Sequence, residues 1–304
     1  MYDIPILFII FRRKDVALQS LQRIRSVQPA KLYIAADGPR TGVEGEAEAV
    51  EQTRQAVLSA IDWPCDVKTL FQTENLGCSK GVYTAISWLF NNEEQGIILE
   101  DDCMAEQSFF PFMQELLQRY QHDDRIGMIA GTNQLDDRHD MAHSYCFSKY
   151  AACWGWATWR RAWKNMRIDL DFLTEQRTDV LKNRGFKGKE DDRWNYQLEM
   201  IRRNRVSAWD WQWYFSLAAQ NQLCIFPCVN LISNIGNDAE ATHTAFSEIF
   251  IKSRPMAFPL KHPTYILPDY QFDKDFFKKE NSIAARVKRH IPYALKQFIK
   301  RHIH

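Results

Sequence analysis

The stretch GIILEDDC, residues Gly96–Cys103, constrains this chain most. Ile97, Ile98 and Leu99 run directly into Glu100, Asp101 and Asp102. A short apolar run bounded by Asn91-Asn92 and Gly96 reads as a buried strand, and the acids stand where it leaves the core. Three adjacent carboxylates repel one another and are costly to desolvate. A hard divalent cation removes that cost, and Mg²⁺ or Mn²⁺ is commonly held by one or two carboxylates together with substrate phosphates. Open α/β sheets place their ligands at the carboxyl ends of the strands, so the pattern points to a metal–diphosphate site there. An acidic surface turn would give the same letters.

The residues before this stretch supply a sheet for it. Pro5–Phe11, Leu32–Ala36 and Asp66–Phe71 read as strands. Val16–Val27, Glu44–Ile61 and Cys78–Phe90 read as helices between them. This alternation predicts a parallel sheet covered by helices. The residues just after each strand then gather along one edge: Arg12 and Arg13, Asp37, the Glu74–Gly77 turn, and Glu100–Asp102. Two cations, a lone carboxylate and an acid cluster in one place suit a nucleotide diphosphate. Neither GxGxxG nor GxxxxGK[ST] is present, which sets aside hydride-transfer and P-loop chemistry.

Further on, Ser108–Tyr120 and Trp194–Arg203 read as helices and Ile126–Ala130 as a strand. Arg167–Asp192 reads as a loop with short helices. Ala208–Gln220 reads as a helix with Asp210 in an aromatic setting, and Leu223–Pro227 as a closing strand. An apolar setting raises a carboxylate's pKa and makes it a better proton acceptor, which marks Asp210 as a candidate general base. A helix-start acid acting as a cap is the plainer alternative. Trp154, Gly155 and Trp156 offer close backbone approach and aromatic faces for a sugar, with core packing of the tryptophans an equal alternative.

These residues resemble the glycosyltransferase A (GT-A) fold, and within it the inverting N-acetylglucosaminyltransferase I-type enzymes and related bacterial sugar transferases. The resemblance spans roughly residues 4–246. It rests on the first strand followed by Arg13, on Asp37 after the second strand, on Glu100-Asp101-Asp102 as an EDD form of the DxD motif, on Cys153–Trp156, and on Ala208–Trp211 followed by Cys224–Gly236. It implies a three-layer α/β/α domain with a mostly parallel central sheet. It also implies a UDP-sugar donor, Mn²⁺ or Mg²⁺ on Asp102 with His243 nearby, and Glu100 and Asp101 at the donor. Arg13 would meet the nucleotide or its phosphates, Asp37 the uracil and the Trp154–Trp156 segment the sugar, and Asp210 would act as base. The family's histidine near the third strand–helix turn has no clear partner here; Lys80 or Cys78 stands nearby. The mammalian-type membrane anchor is also missing.

Composition sets the outer limits. The 304 residues carry a net charge of +1, which makes no case for a nucleic-acid partner. Seven Cys form no CxxC pair, so zinc and a disulfide framework are not indicated and a reducing compartment is the simpler reading. No signal peptide or membrane-spanning run is evident, so the expected location is cytoplasmic. Residues 282–304 hold six Lys/Arg and no acid around an apolar stripe, which suits peripheral contact with the inner face of a membrane. The expected organisation is a catalytic domain over 1–265 and a basic appendage over 266–304. The expected function is transfer of a sugar to a glycan or lipid-linked saccharide. A sugar-phosphate nucleotidyltransferase and an inactive carbohydrate-binding protein are the alternatives.

Overall fold

The computed structural model describes residues 2–135, 142–205, 209–236 and 252–281. Its centre is an eight-stranded sheet of order β3-β2-β1-β4-β8-β6-β9-β7. The strands are β1 (Ile6–Ile10), β2 (Lys31–Ala36), β3 (Asp66–Phe71), β4 (Gln95–Glu100), β6 (Ile126–Ala130), β7 (Tyr145–Ser148), β8 (Trp156–Trp159) and β9 (Leu223–Pro227). β3, β2, β1 and β4 run parallel, as do β6 and β9; β8 and β7 pair antiparallel to their neighbours. A separate two-stranded sheet joins β5 (Cys103–Ala105) to β10 (Ile232–Asn234).

The apolar runs divide by alternation between two cores, one on each face. Ile6, Phe8 and Ile10 of β1, with Ile97 and Leu99 of β4, face a core shared with α1 (Lys14–Arg25), α2 (Glu46–Ser59) and α4 (Phe109–Arg119). Leu7 and Ile98 face the opposite core, with α3 (Gly77–Asn92) and the Trp-rich second half of the chain. Helices on both faces make the three-layer α/β/α arrangement expected from the sequence.

The second core is built by α5 (Arg160–Trp163), α6 (Leu173–Asn183), α7 (Lys189–Arg202), α8 (Asp210–Ala219) and α9 (Tyr270–Glu280). Residues 173–183, within the stretch read above as a loop with short helices, form an eleven-residue helix in which Leu173, Val180 and Leu181 are buried. Likewise, α9 begins at Asp269, whose side chain accepts the Phe272 N–H at 2.9 Å, a capping bond. Phe272 and Phe276 pack against Phe226 of β9. This helix therefore belongs to the core, although the expected division at 265 places it in an appendage. Residues 282–304, with the expected membrane contact, lie outside the described residues. Among the described residues no helix is long and apolar enough to cross a membrane.

Candidate active site

Four parallel strands deliver their carboxyl ends to one cavity of about 610 Å³. Its lining includes Arg12 and Arg13 after β1, Asp37 after β2, Gln72 after β3, and Glu100–Asp102 at and after β4. The convergence inferred from the sequence is therefore the geometry of the fold.

Arg13 sits among the acids. One guanidinium nitrogen, Nη2, donates to Asp101 Oδ1 at 2.5 Å and to Asp102 Oδ2 at 2.9 Å. Asp102 Oδ1 also accepts from Asn234 Nδ2 of β10 at 3.3 Å. Gly236 closes over this group: a Cβ there would stand 2.2 Å from Asp102 Oδ2 and 2.7 Å from Arg13 Nη1. Asp101 and Asp102 against one guanidinium leave one surplus negative charge, to which Glu100 adds only above about pH 8. Burial, followed by the charges of Asp102, Asp101 and Asp210, pushes Glu100 up to about 8; Arg13 opposes this only in part.

Among the described residues no three His, Cys, Asp or Glu side chains gather around one metal position. The surplus negative charge at the cavity wall nonetheless fits a divalent cation held by Asp102 and completed by phosphate oxygens, since such ions rely on few protein ligands. His243, expected as a second ligand, lies outside the described residues.

Asp37 is more occupied than its sequence suggests. Oδ1 accepts the N–H groups of Gly38 at 2.9 Å and Leu76 at 2.8 Å, and Oδ2 accepts that of Gly77 at 2.9 Å. It thus ties the end of β2 to the start of α3, where helix N–H groups are otherwise unpaired. A carboxylate offers about four acceptor positions, so one remains on Oδ2 for a ligand.

A second cavity, of about 180 Å³, adjoins the first. Asp210 and Trp211 of α8 line it with Tyr214, Cys153, Arg193 and Glu280, among others. Trp154 lines both cavities. Asp210 Oδ1 is buried and accepts no hydrogen bond. Burial pushes Asp210 up to about 6, while the backbone N–H groups of Trp211 and Asp210 pull it down. The two cavities share one electrostatic environment. Burial and then the charges of Glu100, Asp210 and Asp37 push the Cys78 thiol in the first cavity's wall up to about 12.

The Cys153–Trp156 segment divides. Trp154 is partly exposed and stands between the cavities. Trp156 is 1 % exposed, stacks on Trp209 with ring centroids 5.6 Å apart, and lines neither cavity. It is core, not sugar platform. Gly155 is also buried; it holds φ +58° with its carbonyl accepting the Gly131 N–H at 2.7 Å, and a Cβ would meet Ile232 Cδ1 at 2.4 Å. Its role is local packing under β10 rather than sugar contact. Arg193 of α7 and Glu280 of α9 were not singled out from the sequence. They stand 87 positions apart and meet only in the fold, at 2.6 Å.

No protein-family model matches the sequence, and no curated protein matches it. Among solved structures, a UDP-glucose pyrophosphorylase complexed with UDP-glucose aligns at 13 % identity and TM-score 0.27, over 49 % of this chain and 58 % of its own. A cytidylyltransferase from Leptospira borgpetersenii aligns at 11 % identity and TM-score 0.35, over 63 % and 79 % respectively. The apo-form glycosyltransferase GlyE of Streptococcus pneumoniae aligns at 12 % identity and TM-score 0.25, over 75 % of this chain and 54 % of its own. The chain thus spans little more than half the length of the first and last of these.

Proposed function

We propose that this chain is an inverting, metal-dependent glycosyltransferase that takes a UDP-sugar as donor and a glycan or lipid-linked saccharide as acceptor. The observation that carries this reading is the pair of adjoining cavities that share Trp154: one is lined by Arg13, Asp37 and the acid cluster, the other by Asp210. The larger holds the nucleotide diphosphate, with Asp37 offering its remaining acceptor position to the base. Arg13 lies within reach of the phosphates, which a guanidinium suits. Asp102 would hold Mn²⁺ or Mg²⁺, which when bound offsets charge on the leaving diphosphate.

In the smaller cavity Asp210 accepts the proton of the acceptor hydroxyl. A carboxylate whose pKa is raised towards neutrality is a stronger base than a solvated one and remains ionised above about pH 6. The acceptor oxygen then attacks the anomeric carbon from the side opposite the diphosphate, which inverts that centre. Trp154 offers an aromatic face where the two sugars meet.

The sugar-phosphate nucleotidyltransferase reading uses the same nucleotide cavity. That class places a glycine-rich loop just after the first strand; here three residues, Phe11–Arg13, join β1 to α1 without glycine. One assay separates the two. Incubation with a panel of UDP-sugars, Mn²⁺ and a mixed glycoside pool should release UDP. Incubation with UTP and sugar 1-phosphates should release no pyrophosphate. Pyrophosphate release without UDP release would replace the first reading with the second.

A further inference from the structure

The smaller cavity carries a charge pattern that bears on which acceptor it admits; this inference rests on reading that cavity as the acceptor side. Its lining holds three charged side chains, Asp210, Arg193 and Glu280. Arg193 Nη2 donates to Glu280 Oε2 at 2.6 Å, with the side chains only 13 % and 22 % exposed. The same guanidinium lies over the Trp211 ring, 5.4 Å from its centre. Its charge is thus already spent on a carboxylate and an aromatic face. Removing either partner from such a shielded pair is strongly unfavourable, so an incoming anion cannot readily recruit Arg193.

What remains unmatched is negative. Ionised Asp210 gives the lining a net charge of −1, and its unpartnered buried polar atoms are two acceptors, Asp210 Oδ1 and Gln134 Oε1, and one neutral donor, the Trp194 indole N–H. Around them stand aromatic faces, Trp154, Trp211 and Tyr214 among them. A ligand must therefore bring hydrogen-bond donors and an apolar C–H face, and must not bring a negative charge. A neutral pyranose meets these terms through its hydroxyls, and an amino sugar through its nitrogen as well. A uronic acid or a phosphorylated sugar sets an anion against Asp210, and the lining answers it with neutral donors such as the Trp194 N–H but with no free cation. About 180 Å³ suits a single ring rather than an oligosaccharide.

We propose that the acceptor residue is a single neutral or amino-bearing sugar, and that the Arg193–Glu280 pair joining α7 to α9 is the filter that excludes acidic sugars.

The test is saturation-transfer NMR on the full chain with methyl glucoside, methyl glucosaminide and methyl glucuronide, each with and without UDP and Mg²⁺. The wild type should give signals from the first two and at least about tenfold weaker binding of the glucuronide, because like charges brought together cost several kcal/mol. Glu280→Gln frees Arg193 and should raise the glucuronide-to-glucoside affinity ratio about tenfold. Arg193→Gln should move preference the opposite way, towards the glucosaminide. Equal binding of glucuronide and glucoside to the wild type, contact with none of the three, or ratios unmoved in both variants would overturn the proposal. Absence of UDP binding would instead defeat the sugar-transfer reading, while the arm without UDP still reports the charge preference of the cavity.

Discussion

In the proposed mechanism the chemistry turns on Asp210. Its carboxylate rises from 3.8 to about 6 because it is buried. The folded state therefore binds its proton more tightly than the unfolded state does. The resulting stability is fully present below about pH 4 and is lost as pH rises through about 6. Asp210→Asn removes this dependence and should make the protein more stable than wild type at pH 8, by on the order of 2 kcal/mol. It should also lower kcat by about 10²–10⁴-fold with UDP binding retained. Thermal melts from pH 4 to 8 and single-turnover kinetics check both; a variant with full activity, or one destabilised at pH 8, would assign Asp210 to capping. In the wild type the rate should fall as pH drops below about 6, where the base becomes protonated. Asp37 makes a different prediction. Asp37→Ala deprives three backbone N–H groups of their acceptor. It should cost about 2–3 kcal/mol, read by urea unfolding, and weaken UDP binding as the start of α3 loosens. Unchanged stability would mean that water replaces the carboxylate without penalty.

At the scale of elements, β8 and β10 approach each other across Gly155. Gly155→Ala would place a methyl group 2.4 Å from Ile232 Cδ1 on a backbone held at φ +58°. A loss of about 2–3 kcal/mol in chemical denaturation is expected, and a neutral result would show that β10 can slide aside. Phe272→Ala in α9 should cost about 3–5 kcal/mol, as for other fully buried aromatics. A smaller loss would return α9 to the role of a loosely docked appendage. The elements differ in how much of them the sequence discloses. β1, β2 and β4 are continuous apolar runs because both their faces are buried, and such runs are visible without knowing their partners. β5, β7 and β10 have three or four residues each and exist by virtue of their pairing. α9 reads as charged because one of its three buried residues, Asp273 beside Phe272 and Phe276, is itself an acid, though Asp269 as a cap was a legible signal. Trp156 and Trp154 are alike in sequence; only packing separates the buried ring from the exposed one. The Arg193–Glu280 pair, with partners far apart along the chain, leaves no local trace.

At the scale of the whole molecule, four strand ends and one shared tryptophan bring a diphosphate-sized cavity against a ring-sized one. The acid cluster was legible because three adjacent carboxylates at the end of an apolar strand need a cation, whatever the fold. Arg13 supplies one such charge from within the chain, bridging Asp101 and Asp102, and leaves the cluster negative overall. That imbalance is the basis for the central claim, that a divalent cation and a nucleotide diphosphate bind together here. Isothermal titration of UDP with and without Mn²⁺ tests it most directly. UDP should bind at least about tenfold more tightly with Mn²⁺, since bound phosphates complete the ion's coordination, and Asp102→Ala should abolish the difference. Equal affinity with and without the ion would contradict the account.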